Sequence, residues 1–227
     1  MTMDIKDLKN ILMINLENNT IDLDFFKKII KQAYNNEFNN SKQLLDSLNY
    51  TQFESKLKLL EYINLLDIVD KNCNVSVLGC WFNSIIAGVL ANKVKNITGY
   101  DMDKSAIQIG KNIFRNHNNV DFFHLDIFET IKDRIEKTDL LINTSCEHMK
   151  PMKEWPFWNK IKHNTYIAFQ SHSNKNIKDH INCVNSLDEF ENQLPKDIKI
   201  LLKKELIETN REGMRFTIIG KYEKNNL

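Results

Sequence analysis

The sequence predicts an α/β protein: a seven-stranded, mostly parallel sheet with an antiparallel final strand, preceded by a helical extension. Three observations carry this. Residues 1 to about 70 show helical spacing and contain no Gly or Pro. From Asn74 onward short apolar runs alternate with helical stretches, which calls for parallel crossovers and a sheet covered on both faces. The last two runs, Ile198–Ile207 and Met214–Gly220, are joined through Asn210–Gly213 and read as an antiparallel hairpin.

In the extension, Asp24 precedes Phe25, Phe26, Ile29 and Ile30 at helical spacing. Thr51 and Glu54 match a capping box, with Phe53, Leu57, Leu60 and Ile63 following on one face. Val75–Gly79 then reads as a short buried strand, Ser84–Ala91 as an apolar helix and Ile97–Asp101 as a second strand. Lys104–Asn116 is a helix with Ile107, Gly110 and Phe114 on one side. Val120–Leu125 is the third strand, and Phe128, Ile131 and Ile135 mark a third helix. Leu140–Asn143 and Tyr166–Gln170 are the fourth and fifth strands, with Trp155, Trp158 and Ile161 at helical spacing between them. Ser186 and Glu189 form a second capping box before Phe190. The chain thus divides into an extension, residues 1–70, and a sheet domain, residues 71–227.

Composition narrows the function classes. Among 227 residues, 31 Lys+Arg face 30 Asp+Glu, a net charge of +1. That balance argues against a nucleic-acid partner, which asks for a basic surplus. Lys27, Lys28 and Lys31 form a local basic run that a solvated helix face explains. No apolar run of membrane-spanning length exists, and Met1–Leu12 lacks a secretory pattern. The four cysteines, Cys73, Cys80, Cys146 and Cys183, include no C-x-x-C pair, so no metal site is expected. Free thiols without an export signal point to the cytoplasm.

In such sheets ligands bind beyond the carboxyl ends of the strands. The first strand ends in Gly79-Cys80-Trp81-Phe82-Asn83-Ser84. Gly79 permits a sharp turn and a close ligand approach, and Asn83 or Ser84 can cap the following helix. The second ends in Asp101-Met102-Asp103. Asp101 sits where an acid takes ribose hydroxyls, while Asp103 suits a helix cap. After the third come His124, Asp126 and Ile127. Asp126 is a cap or a contact to an adenine amino group, Ile127 could lie against the ring, and His124 is a core or surface histidine. The fourth strand ends in Asn143-Thr144-Ser145-Cys146-Glu147-His148-Met149. Glu147 and His148 can supply a general base or bind an ammonium group, and Cys146 is a nucleophile candidate by type alone. Gln170-Ser171-His172 is a weaker polar cluster, His180 reads as a surface residue, and the tryptophans default to core packing.

In order, VSVLGCWFNS, ITGYDMD, VDFFHLDIF and DLLINTSCEHM resemble the motifs of class I S-adenosylmethionine-dependent methyltransferases, whose sheet is Rossmann-like. The resemblance covers about residues 73 to 220 and implies S-adenosylmethionine as cofactor. Gly79, Trp81 and Asn83 fall on the family's G-x-G-x-G run, of which only the first is glycine here. Asp101 falls on the ribose-binding acid, with Met102 beside it. Asp126 falls on the adenine-contacting acid, with Ile127 beside it, and Asn143 opens the catalytic segment. Gly-Cys-Trp-Phe is similar to Gly-x-Trp-Tyr/Phe variants in methyltransferase-like proteins of bacteria and their viruses. The N-terminal helices correspond to the variable extension that often covers the substrate in this family. No Asn/Asp-Pro-Pro-Tyr/Phe or Pro-Cys motif follows the fourth strand, which disfavours exocyclic-amino and cytosine-C5 methylation. The expected activity is methyl transfer to a small polar metabolite with Glu147 and His148 as catalytic residues. The rival readings are a fold-retaining binding or assembly module and an RNA or protein methyltransferase.

Overall fold

The computed structural model describes residues 23–35, 37, 40–208 and 212–224. The expectations for Met1–Leu12 and for Asn210 and Arg211 of the Asn210–Gly213 connection fall outside them. Helices α1 (Leu23–Tyr34), α2 (Ser41–Ser47) and α3 (Tyr50–Leu65) come first. The sheet follows as β1 (Asn74–Leu78), β2 (Asn96–Asp101), β3 (Val120–His124), β4 (Leu140–Asn143), β5 (Tyr166–His172), β6 (Ile198–Ile207) and β7 (Met214–Tyr222). Helix α4 (Ser84–Leu90) follows β1, α5 (Lys104–Ile113) follows β2 and α6 (Leu187–Glu191) precedes β6.

The strand order is β3-β2-β1-β4-β5-β7-β6. Strands β1 to β5 pair in parallel, and β7 runs antiparallel to both β5 and β6. The predicted Rossmann-like sheet is therefore the observed one. The chain builds outward from β1 on one side, then returns to β4 on the other. The switch in strand order lies between β1 and β4, where this architecture leaves a crevice.

Alternation along the strands divides the core. Val75, Val77, Leu140, Ile142 and Ala168 face a cluster with Phe26, Phe53, Leu59, Ile85 and Ile107, so the extension shares its core with the sheet. Leu78, Leu141, Ile167 and Phe169 face a second cluster holding Trp155, Trp158 and Phe190. The tryptophans are buried, and their Nε1–H groups donate to Ile127 O at 2.9 Å and Met152 O at 2.6 Å.

This second face departs from expectation. Phe128, Ile131 and Ile135 do not form an α-helix, since only a 3₁₀ turn covers Asp133–Lys137. Asp126 Oδ1 accepts the Phe128 N–H at 2.8 Å and bends the chain instead. Trp155 follows a 3₁₀ turn, Met152–Glu154, and Trp158 begins another, Trp158–Lys160, because Pro151 and Pro156 interrupt any longer helix. The helical spacing still identified the inward side, since Ile131 and Ile135 are buried. The cap of α3 also moves: Asn49 Oδ1 accepts the Gln52 N–H at 3.0 Å, and Thr51 lies within the helix. Ser186 caps α6 as predicted, accepting from Glu189 N–H at 3.1 Å.

Gly88 of α4 shows how closely α1 docks. A Cβ there would lie 2.7 Å from the Phe25 ring and 2.8 Å from the Phe26 ring. Gly88→Ala is therefore expected to lower stability by about 1–3 kcal/mol despite its better helix propensity. An unchanged or raised melting temperature would show that α1 does not pack there.

Candidate functional site

Three alternate residues shape the turn after β1. Gly79, Trp81 and Asn83 have φ of 60°, 47° and 51°, all left-handed. These are the positions where the resembled motif has glycines. Gly79 takes the left-handed φ at no steric cost, and a Cβ there would meet only the movable end of Met149, Cε at 2.8 Å. Asn tolerates this region, whereas a left-handed Trp costs about 1–2 kcal/mol. The Asp101 carboxylate offsets that strain, accepting the Trp81 N–H at 2.7 Å and the Asp103 N–H at 2.8 Å. Burial raises the Asp101 carboxyl above its usual range, partly countered by those N–H groups. The Trp81 ring packs on Phe82, centroids 4.6 Å apart.

This turn forms one wall of a cavity of about 810 Å³ at the carboxyl ends of β1 and β4. The extension supplies a second wall through residues from Asp46 to Lys56, and Thr144, Ser145, Glu147, His148, His180 and Arg215 contribute to the rest. Asn83 is buried, stands at the N-cap of α4 and makes no side-chain cap bond. Its Oδ1 and Nδ2 both lack partners. The capping role expected of Asn83 is therefore not what its side chain does. Its amide thus leaves one donor and one acceptor available in the wall of the cavity.

Of the predicted site residues, Gly79, Trp81, Asn83, Glu147 and His148 line this cavity, and Asp101 joins it through the Trp81 N–H. Met102, Asp126, Ile127 and Asn143 are not among its lining. Met102 is exposed, and its carbonyl bonds His124 Nε2 at 3.0 Å. Asp126 makes the turn described above, Ile127 is buried in the second cluster, and both lie at the end of β3. Asn143 is fully buried, with Oδ1 accepting the Ser145 N–H and Nδ2 facing the sulfurs of Met149 and Met152. It shapes the loop instead of reaching the cavity. Cys146 is not a nucleophile, since it is buried and burial pushes its thiol well above the usual value. Asp103 is the cap of α5, accepting from Ser105 and Ala106.

The sequence reading missed an ionic cluster below the cavity. Arg215 of β7 donates from Nη1 to Glu147 Oε1 at 2.8 Å and from Nε to Glu208 Oε1 at 3.1 Å. Glu208 Oε2 bonds His172 Nε2 at 3.0 Å, and His172 Nδ1 accepts the Asn174 N–H at 2.8 Å. Nε2 is thus the donor to Glu208. All four side chains are buried. Burial opposes the Glu147 charge, but Arg215 and then His148 hold its carboxyl below the usual range. His180, expected at the surface, is half-buried against His148 with ring centroids 4.6 Å apart. Arg215 in the strand run Met214–Gly220 and His172 in the polar cluster that ends β5 were the available signals for the cluster.

Glu208 gives an acid-stability prediction. Burial raises its carboxyl, but the His172 hydrogen bond and Arg215 outweigh that and bring it to about 2 from an ordinary 4.5. The folded value is depressed, so its contribution is full above the unfolded value and is lost as pH falls from about 4.5 towards 2. The shift corresponds to on the order of 3 kcal/mol. In urea unfolding, the stability gap between the parent and Glu208→Gln should narrow from pH 6 to pH 3. A gap independent of pH would contradict the assignment.

No protein-family profile and no curated protein matches the sequence. Solved structures do match the fold. The N-methyltransferase NodS from Bradyrhizobium japonicum WM9, in complex with S-adenosyl-L-homocysteine, superposes with a TM-score of 0.65 at 13% identity. That match covers 86% of this chain and 99% of that one. The same protein without that ligand in its description gives 0.64 at 13%, over 78% and 99%. A protein described as a sarcosine dimethylglycine methyltransferase from Galdieria sulphuraria gives 0.60 at 9%, over 76% and 86%. The chain has the fold of these methyltransferases.

Proposed function

We propose, with the class I methyltransferase fold as premise, that this protein transfers a methyl group from S-adenosylmethionine to a small polar metabolite bearing an amine, hydroxyl or carboxyl group. The observation that carries the reading is the cavity at the ends of β1 and β4. Its left-handed turn keeps the backbone form of a glycine motif with one glycine, and its opposite side presents Glu147 and His148.

The residues present fit the cofactor. Asn83 offers a buried unpaired acceptor and donor to the amino-acid end. Each Asp101 oxygen already takes one backbone N–H and retains a lone pair, so the pair can accept a ribose cis-diol. Met102, Asp126 and Ile127 would face the adenosine end, which suits their place at the ends of β2 and β3. S-adenosylmethionine, when bound, supplies an electrophilic methyl on a sulfonium.

The chain's own part is alignment and charge. His148 Nδ1 donates to Asp179 O at 3.1 Å, which leaves Nε2 with its lone pair for an acceptor proton. Glu147, ionised beside Arg215, attracts a cationic or hydrogen-bond-donating acceptor with its unpaired Oε2. The wall from residues 46 to 56 supports the expectation that the extension covers the substrate, and we retain the division at about residue 70 on that basis.

Labelled S-adenosylmethionine added with cell extract tests the acceptor class. Label in the low-molecular-mass fraction is expected. Label in RNA or protein would overturn the metabolite reading, and no label in any fraction would favour a binding module. Among the described residues, no helix is long and apolar enough to cross a membrane.

A further inference from the structure

We infer that Glu147, His148 and His180 form a binding site for one divalent transition-metal ion of the zinc class, with its open coordination positions facing the cavity. One ligand atom from each of the three residues lies within 4.8 Å of the others. The three come from two loops, since Glu147 and His148 sit on the 3₁₀ turn after β4 and His180 follows β5. The loops are fastened at this point: Glu147 O accepts the N–H groups of Ile181 and Asn182, both at 2.9 Å.

Three features prepare these residues for a cation. Glu147 is buried, and while Oε1 is taken by Arg215, Oε2 has no partner at all. Both imidazoles are tautomerically set. His148 Nδ1 bonds Asp179 O at 3.1 Å and His180 Nδ1 bonds Asn174 O at 2.7 Å. A carbonyl only accepts, so each Nδ1 carries a proton, and in the neutral ring Nε2 keeps the lone pair. That backbone-carbonyl support is what metal-bound histidines usually have. Finally, the ionised groups beneath the site are two carboxylates and one guanidinium, Glu147, Glu208 and Arg215, a buried surplus of one negative charge. That surplus favours a cation at Glu147 Oε2.

Two imidazole nitrogens and one carboxylate oxygen suit zinc and its first-row neighbours better than magnesium or calcium. Metal–ligand bonds of about 2.0–2.2 Å put ligand atoms about 3.0–3.4 Å apart. Reaching that spacing from the observed one asks for a side-chain adjustment, which the exposed His148 can make by pivoting about its Nδ1–Asp179 O hydrogen bond. Three protein ligands leave positions open for an oxygen or nitrogen of a bound molecule. That anchoring role rests on the proposed methyl transfer: with the ion bound, the His148 lone pair and Glu147 Oε2 are spent on it and the ion takes their place in holding the acceptor, whereas the binding of the ion itself does not rest on that reading.

The test is titration of Zn²⁺, then Co²⁺, into the full chain after chelator treatment. One saturable equivalent of Zn²⁺ is expected. His148→Ala and His180→Ala should each weaken it by more than the about 10–100-fold typical of an outer-shell change. Cys183→Ser removes the rival thiol, whose Sγ lies 3.6 Å from His180 Nδ1, and should bind as the parent does. Bound Co²⁺ should show d–d absorption without a thiolate charge-transfer band. Circular dichroism confirms that the His148 variant, altered at an exposed side chain, is folded. No saturable Zn²⁺, binding indifferent to both histidine substitutions, or a thiolate band would overturn the site. Calorimetry with S-adenosylhomocysteine on the same sample separates the two readings: cofactor binding without Zn²⁺ overturns only the metal site, and Zn²⁺ without cofactor overturns only methyl transfer.

Discussion

Arg215→Ala is expected to lower the free energy of unfolding at pH 7 by about 3–5 kcal/mol in a urea titration. The side chain is buried between two buried carboxylates, Glu147 and Glu208, and donates to each. Removing it leaves two buried negative charges facing each other without a cation. The magnitude comes from that uncompensated charge and not from the worth of the ion pairs themselves. Arg215→Lys should recover only part of the loss, because a single ammonium cannot reproduce a fork that donates from Nε and Nη1 in different directions. A loss below about 1 kcal/mol for the Ala variant, the level of an exposed pair, would contradict the burial of this cluster.

Asp101→Ala is expected to weaken S-adenosylhomocysteine binding by about a hundredfold. Two bonds from a carboxylate to ribose hydroxyls at about 1.5 kcal/mol or more each give roughly 3 kcal/mol, and about 1.4 kcal/mol is a factor of ten. The same change removes the acceptor for the Trp81 and Asp103 N–H groups. The left-handed Trp81 then loses the contact that holds it, so melting temperature should also fall. Asp101→Asn keeps one acceptor oxygen and should lie between the parent and the Ala variant in affinity. Unchanged affinity in the Ala variant would remove the ribose assignment.

Much of the sheet was legible because its signals are local. Runs such as Val75–Leu78 and Leu140–Asn143 are short, apolar and separated by helical stretches, and the strands fall within two residues of their expected ends. The second face was misread where spacing was right and backbone was not. Phe128, Ile131 and Ile135 point inward from a segment whose Asp126 turn and 3₁₀ geometry no periodicity discloses. The turn after β1 was half legible. Only one of its three motif positions is glycine, yet Trp81 and Asn83 adopt the glycine-like φ, and the Trp81 N–H is held by Asp101, twenty residues away. The cluster of Arg215, Glu208 and His172 and the approach of His180 to His148 are products of topology. β7 lies beside β5, and the loop after β5 folds over the turn after β4, and neither relation is written in local sequence.

The central claim is that a turn with one glycine still forms a cofactor site. Isothermal titration calorimetry of purified, cofactor-free protein with S-adenosylhomocysteine measures it directly. The left-handed backbone at Gly79, Trp81 and Asn83, the unpaired Asn83 amide and the free lone pairs of Asp101 predict saturable binding of one molecule per chain. No detectable heat at millimolar ligand, with the protein folded by circular dichroism, would contradict it.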